Sequence, residues 1–224
     1  SYLFWYAMLG LHKIGAVAVQ ATHLLTAKDY IYRCNAADIA AAVITGDGDA
    51  TEHFDAALPK LSRRPLLLVS GHKDAGDGWI DFEDKLERAS CDWTRPAGPE
   101  ATCACDPMLM AFSSGTTGYP KMILHDFTYP LGHIVTAKYW QGVQDGKLHM
   151  TASDSGWAKF GWGKIYGQWL CGAVIAAYDM DHFVPQKMLR IIQKMRLTTF
   201  CAPPTIYRFL IKENLADYDF SSIK

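Results

Sequence analysis

The nine residues Ser113 to Lys121, SSGTTGYPK, constrain this chain more than any other stretch. A short apolar run, Met108 to Phe112 (MLMAF), leads into them, and a second, Met122 to Leu124, follows. The expected local structure is strand, polar glycine-rich loop, strand. The loop carries four aliphatic hydroxyls (Ser113, Ser114, Thr116 and Thr117), two glycines and one lysine. Gly115 and Gly118 can adopt positive φ, which lets successive backbone N–H groups converge on an anion. Pro120 stiffens the exit, and Lys121 adds a point charge. Tyr119 completes the segment. This is the composition of a phosphate cradle.

The commonest such cradle, G-x-x-x-x-G-K-[ST] opening directly into a helix, does not fit. Gly115 has the right spacing to Lys121, but Pro120 stands where that motif needs glycine. Met122 stands where it needs a magnesium-binding hydroxyl, and the residues that follow have strand character. A kinase or other P-loop nucleotidase is therefore disfavoured.

A chain of 224 residues is long enough for one large or two small domains with a real core. Half of it is hydrophobic and a fifth charged, an ordinary globular balance. The formal net charge of −1 supplies no field to gather nucleic acid or an anionic membrane surface. No apolar run approaches the roughly 20 residues of a membrane span. Tyr2 to Leu11 is apolar but has neither a basic leader nor a small-residue cleavage site, so it does not read as a signal peptide. Cys34, Cys171 and Cys201 lie in apolar segments and read as small hydrophobes. Cys103 and Cys105 form the one close cysteine pair, and no second pair or nearby histidine completes a metal site. No metal ligands are assigned, and a reducing cytoplasm is the default location.

Along the chain, helix patterns alternate with short apolar strands. Helices are expected over Tyr2–Ile14, ended by Gly15, over Ala27–Ala37, capped by Thr26, and to Leu61 from a cap at Thr51. Strands are expected at 16–20, 40–45 and 65–70. Ile80 to Ala89 reads as an exposed amphipathic helix, and 90–107, with three prolines, as irregular. After the cradle come a helix over Thr128–Val143 with Pro130 in its first turn, and a strand at 147–152. A strand at 173–178, a helix at 184–195 and a strand at 198–202 follow, and Pro203-Pro204 opens a last helix to Glu213. The pattern predicts an α/β fold with layered parallel sheets.

Ser153 to Gly172, SDSGWAKFGWGKIYGQWLCG, is the second unusual stretch, with Trp157, Trp162 and Trp169 among five glycines. Two readings compete. One is a helix packed through tryptophan and close-approach glycines; the other is a pocket wall, with rigid aromatics shaping an apolar site. Asp154 could orient a pocket group or cap the next helix, His125 and Asp126 read as exit structure of the cradle, and Lys159 and Lys164 as solvent-facing.

SSGTTGYPK resembles the phosphate-binding signature of the adenylate-forming, or AMP-binding, superfamily: acyl-CoA synthetases, nonribosomal adenylation domains and luciferases. The segments LTAKDYIYRCNAA and APPTIYRFLIKE are also similar to acyl-CoA synthetase sequence, and SDSGWAKFGWGKIYGQWLCGA resembles the medium-chain and acetate branch. The resemblance implies a ligase that joins a small carboxylic acid to coenzyme A at the expense of ATP. On that basis Ser113, Ser114, Gly115, Thr116, Thr117, Gly118, Tyr119, Pro120 and Lys121 would hold the ATP phosphates with Mg²⁺, Thr116 and Lys121 acting in catalysis. Trp157, Trp162 and Gly163 would line the acid site, the indole of Trp162 setting the chain length that fits.

The resemblance also implies an incomplete chain. The family's tyrosine-glycine-threonine-glutamate motif, ribose-binding aspartate and C-terminal domain with its catalytic lysine have no counterpart here. The expected organisation is a first α/β subdomain over 1–126, ending with the cradle, and a partial second over 127–224, the C-terminal domain being absent. The isolated 224 residues are expected to be inactive and to self-associate through an exposed sheet edge. Two other readings stand: an adenylating enzyme that loads a carrier protein, and a stand-alone nucleotide-binding module.

Overall fold

The computed structural model describes residues 2–71, 74–113, 118–180 and 182–224. In chain order the elements are α1 (Leu3–Lys13), β1 (Ala18–Val19), α2 (Ala27–Ala36), β2 (Ala41–Thr45), α3 (Ala50–Ala57), β3 (Leu66–Ser70), β4 (Trp79–Asp81) and α4 (Phe82–Glu87). They continue with β5 (Pro107–Ser113), β6 (Lys121–Asp126), α5 (Tyr129–Val135), β7 (Leu148–Thr151), α6 (Ala158–Phe160), α7 (Tyr166–Leu170), β8 (Val174–Ile175), α8 (Pro185–Met195), β9 (Thr199–Cys201) and α9 (Pro204–Leu210). Two π-helical turns interrupt the second half, at Thr136–Trp140 after α5 and at Gly161–Ile165 between α6 and α7. The expected α/β class holds.

The chain packs as two compact units, one of residues 1–14 and 21–101 and the other of 15–20 and 102–224. In the first, β2, β3 and β4 form a parallel sheet in sequential order. Its core joins Tyr30 and Cys34 of α2, Phe54 and Ala57 of α3, and Ala42 and Leu67 of the sheet. The rings of Tyr30 and Phe54 meet edge-on at 4.8 Å, as do those of Phe54 and Trp79 at 5.8 Å. The start of α2 is closed as its sequence implies: the Asp29 carboxylate accepts from the Thr26 backbone N–H at 3.0 Å and from its hydroxyl at 2.7 Å.

Two details of this unit depart from expectation. Asp49, not Thr51, precedes α3; Thr51 lies inside the first turn, 2 % exposed, where it is core rather than cap. Trp79–Asp81 is a strand at the start of the segment read as helix. The Trp79 indole N–H donates to Asp55 Oδ1 at 2.9 Å and its ring packs on Phe54, while the Asp81 carboxylate accepts from the Asp84 N–H at 2.9 Å and starts α4 there. Tertiary packing of one indole outweighs the helical period.

The second unit holds two sheets. In one, β5 lies between β1, which is parallel to it, and β6, which is antiparallel. In the other, β7 lies between β8 and β9, all parallel. Helix α8 covers the latter with Met188, Leu189 and Ile192, packed with Leu197 and Met150. Its first turn opens on Pro185 and it ends at Arg196 in the left-handed region (φ 51°). The hairpin β5–β6 that flanks the cradle belongs to this unit, together with the tryptophan-rich stretch.

Candidate active site

The cradle sequence starts and ends on partners of one hairpin. Ser113, the last residue of β5, lies opposite Lys121, the first of β6, and its hydroxyl donates to the Lys121 carbonyl at 3.5 Å. The flanking pairs are Phe112 with Met122 and Ala111 with Ile123. The expected strand–loop–strand is thus a hairpin whose closing rung fixes both ends of the loop. Ser114, Gly115, Thr116 and Thr117 lie outside the described residues. Gly118 has φ 118°, a conformation that side-chain-bearing residues rarely adopt. Tyr119 is 63 % exposed, and Lys121 is exposed at the loop exit. His125 and Asp126 are the last residues of β6: the His125 ring lies 4.1 Å from that of Tyr129, and Asp126 Oδ1 accepts from the Thr128 N–H at 2.9 Å. Both act in the exit structure.

Ser153 to Gly172 is helical, broken by the π turn. Asp154 makes the turn before it, accepting from the Gly156 N–H at 2.7 Å. Helix α6 packs against β5, so the tryptophan-rich stretch sits beside the strand that carries the cradle. The glycines are there for close approach. A Cβ on Gly161 would stand 3.3 Å from Gln20 Nε2 at the end of β1 and 3.7 Å from Leu109 Cδ2 of β5. One on Gly167 would stand 2.1 Å from the His133 carbonyl oxygen, so α5 and α7 touch backbone to backbone.

Trp162 is partly buried in a polar-edged aromatic array. Its ring stacks on His133 with centroids 6.1 Å apart, meets Trp140 at 5.8 Å, and has Lys159 Nζ 5.6 Å from it. His133 continues the array to Tyr129, which packs edge-on against Tyr166 at 5.8 Å. Burial raises the Tyr129 phenol to about 12 and lowers the imidazole of His133. Gly163 is buried next to Trp162 in the chain. Trp157, by contrast, is 63 % exposed at the start of α6.

Several groups here escaped the sequence reading. Lys164 is not solvent-facing but 5 % exposed, with Nζ 5.0 Å from the Phe160 ring, and burial lowers its ammonium to about 8. His149 of β7 is 1 % exposed and bonded on both ring nitrogens. Gln20 is 2 % exposed beside Gly161, and Gln168 is fully buried. No local pattern marks any of them. Each is buried by elements distant in sequence; His149 sits in a strand, β7, whose residues 149–151 are all buried, so no polar–apolar alternation points to its side chain.

The segment Ser113 to Lys121 is thus closed across the β5–β6 hairpin, with helix α6 packed against the same strand. The AMP-binding enzyme family matches residues 1–224, and the chain belongs to that family. It is 32 % identical over 223 residues to the mitochondrial acyl-coenzyme A synthetase ACSM3 of Pongo abelii, and 30 % identical over 227 residues to the mitochondrial acyl-coenzyme A synthetase ACSM4 of Homo sapiens. Each alignment covers 99 % of this chain and 37 % of the relative, so the chain spans little more than a third of the length of these proteins. The fold is similar to that of the anthranilate CoA ligase AuaEII solved with anthranoyl-AMP (TM-score 0.86, 22 % identity, all of this chain and 42 % of that one). It is also similar to the N-terminal domain of FACL13 from Mycobacterium tuberculosis (TM-score 0.78, 19 % identity, all of this chain and 53 % of that one). The architecture is that of the adenylate-forming N-terminal domain. No helix among the described residues is long and apolar enough to cross a membrane.

Proposed function

We propose that this chain carries the triphosphate- and acid-binding part of an AMP-forming acid–thiol ligase. A carboxylate oxygen attacks the α-phosphorus of ATP, the bond to the β-phosphate breaks, and pyrophosphate leaves with its electrons. The sulfur of coenzyme A then attacks the acyl carbon, AMP departs, and the thiol proton passes to solvent. The observation that supports this most strongly is the cradle closed by the Ser113–Lys121 rung on the strand against which α6 packs.

The residues present fit phosphate oxygens. The loop from Ser113 to Lys121 offers hydroxyls, backbone N–H groups, a positive-φ glycine and one cation, and it contains no carboxylate. Those groups suit the β- and γ-phosphates; Mg²⁺, when bound, would neutralise phosphate charge. Thr116 and Lys121 are assigned the catalytic part, holding the triphosphate in line for attack and stabilising charge as pyrophosphate departs. In this reading Trp157, Trp162 and Gly163 border the acid, and the indole of Trp162 limits chain length, each excluded methylene costing about 1–3 kcal/mol of discrimination. A reducing compartment such as the cytoplasm suits the six unbridged cysteines.

The test is formation of acyl-AMP and then thioester by the full-length protein, followed by mass spectrometry over acids from acetate to octanoate. Coenzyme A is supplied in one arm and a phosphopantetheinyl carrier in the other. Acyl-AMP with transfer to coenzyme A is expected. Transfer to the carrier alone would move the protein to the carrier-loading class, and absence of any acyl-AMP would sink the proposal.

A further inference from the structure

The backbone carbonyls of Trp162 and Gly163 are held by side chains, that of Gly163 by three from outside its own helix. Both lie in the π turn, where the widened backbone disturbs the regular carbonyl-to-amide ladder. The Gly163 carbonyl accepts from Gln141 Nε2 at 3.0 Å, from His149 Nε2 at 3.0 Å and from the Thr151 hydroxyl. The Trp162 carbonyl accepts from Gln168 Nε2 at 3.2 Å, and that amide also donates to Gln141 Oε1. His149 and Thr151 are almost wholly buried, so the bonds they make to the Gly163 carbonyl are made where water does not compete.

The bonds select one form of His149. The Gly163 carbonyl can only accept, so Nε2 carries the proton and shares it between that carbonyl and Thr151 Oγ1, 2.9 Å away. Nδ1 is then an acceptor, and the Thr199 hydroxyl, 2.8 Å away on β9, donates to it. The register of the parallel sheet places this donor, His149 lying opposite Thr199. One neutral tautomer therefore ties the β7–β9 pair to the π turn.

We propose that His149 is a positioning residue: through the Gly163 carbonyl it locks the π turn and so fixes the indole of Trp162 against His133 and Trp140. It touches no substrate, and the proposal rests on the reading that Trp162 bounds the acid site. Freeing the turn lets the indole swing and admits longer acids.

The experiment compares kcat/KM for octanoate and butyrate in the full-length protein and in its His149→Leu, Trp162→Ala and doubly substituted forms. The expected result is a rise of about tenfold in the octanoate-to-butyrate ratio for His149→Leu, with no further rise when Trp162 is already alanine. A purely structural His149 would lower activity on both acids equally, and an unchanged ratio overturns the proposal. So does a shift that adds in full to that of Trp162→Ala. Should His149→Leu fail to fold, Thr199→Val, which removes the donor to Nδ1, is expected to shift the ratio in the same direction, and no shift overturns the proposal. A protein that makes no thioester from any acid would instead defeat the functional reading, and the positioning role is then read by fluorine NMR of 5-fluorotryptophan-labelled protein. The Trp162 line, assigned by its loss in Trp162→Phe, is expected to move or broaden in His149→Leu; an unmoved line overturns the role.

Discussion

Gly167 of α7 lies so close to the carbonyl of His133 in α5 that a Cβ there would sit 2.1 Å from the carbonyl oxygen and 3.1 Å from the Ala137 Cβ. The obstruction is backbone, which cannot rotate aside. Gly167→Ala must therefore push α5 and α7 apart at a cost of about 1–3 kcal/mol. A fall of at least about 2 °C in the thermal midpoint is expected by calorimetry. Gly132→Ala, with open space around its Cβ, serves as the control and should leave the midpoint near that of the unsubstituted protein.

Gly118 is held at φ 118° by the loop, with nothing within 4 Å of a Cβ. Space is available, so the cost of a side chain there is backbone strain of about 1–3 kcal/mol. The loop can escape that strain only by changing shape. Gly118→Val is expected to raise the KM for ATP about tenfold or more while barely moving the thermal midpoint, because Gly118 contributes nothing to the core. Steady-state kinetics with ATP as the varied substrate decides it.

Lys164 makes stability depend on alkaline pH. Its pKa is lowered by burial from 10.5 to about 8, so between those values the unfolded chain holds a proton that the folded chain has released. Stability linked to this group is complete above about 10.5 and is lost as pH falls through about 8. The difference is on the order of 2–3 kcal/mol. Denaturant titrations at a series of pH values are expected to show the unsubstituted protein gaining on Lys164→Met between pH 8 and 10.5. Parallel pH curves for the two proteins would refute this.

Much of this fold was legible in local sequence because local chemistry decides it. Thr26 and Asp29 close the start of α2 within four residues, Pro185 opens α8 at its first position, and Gly15 at φ 71° follows the end of α1. The hairpin around Ser113 and Lys121 was legible because a polar, glycine-rich segment separates two apolar runs. What escaped reading was settled by distant partners. Trp79–Asp81 became a strand through Phe54 and Asp55, more than twenty residues away. His149 drew its role from Thr199, fifty residues on, and Lys164 its burial from packing around the π turn. The second special stretch was legible as helix and as aromatic wall alike, since close-approach glycines serve both; the Gly167–His133 contact accounts for one of those glycines by packing alone.

The most direct test of the account is carboxylate-dependent exchange of labelled pyrophosphate into ATP, measured on the full-length protein and on its Lys121→Ala form. The account predicts exchange that requires the acid and falls by about a hundredfold or more when Lys121 loses its ammonium, with the fold retained by circular dichroism. Equal exchange by the two proteins, or no exchange with any acid from acetate to octanoate, would contradict it.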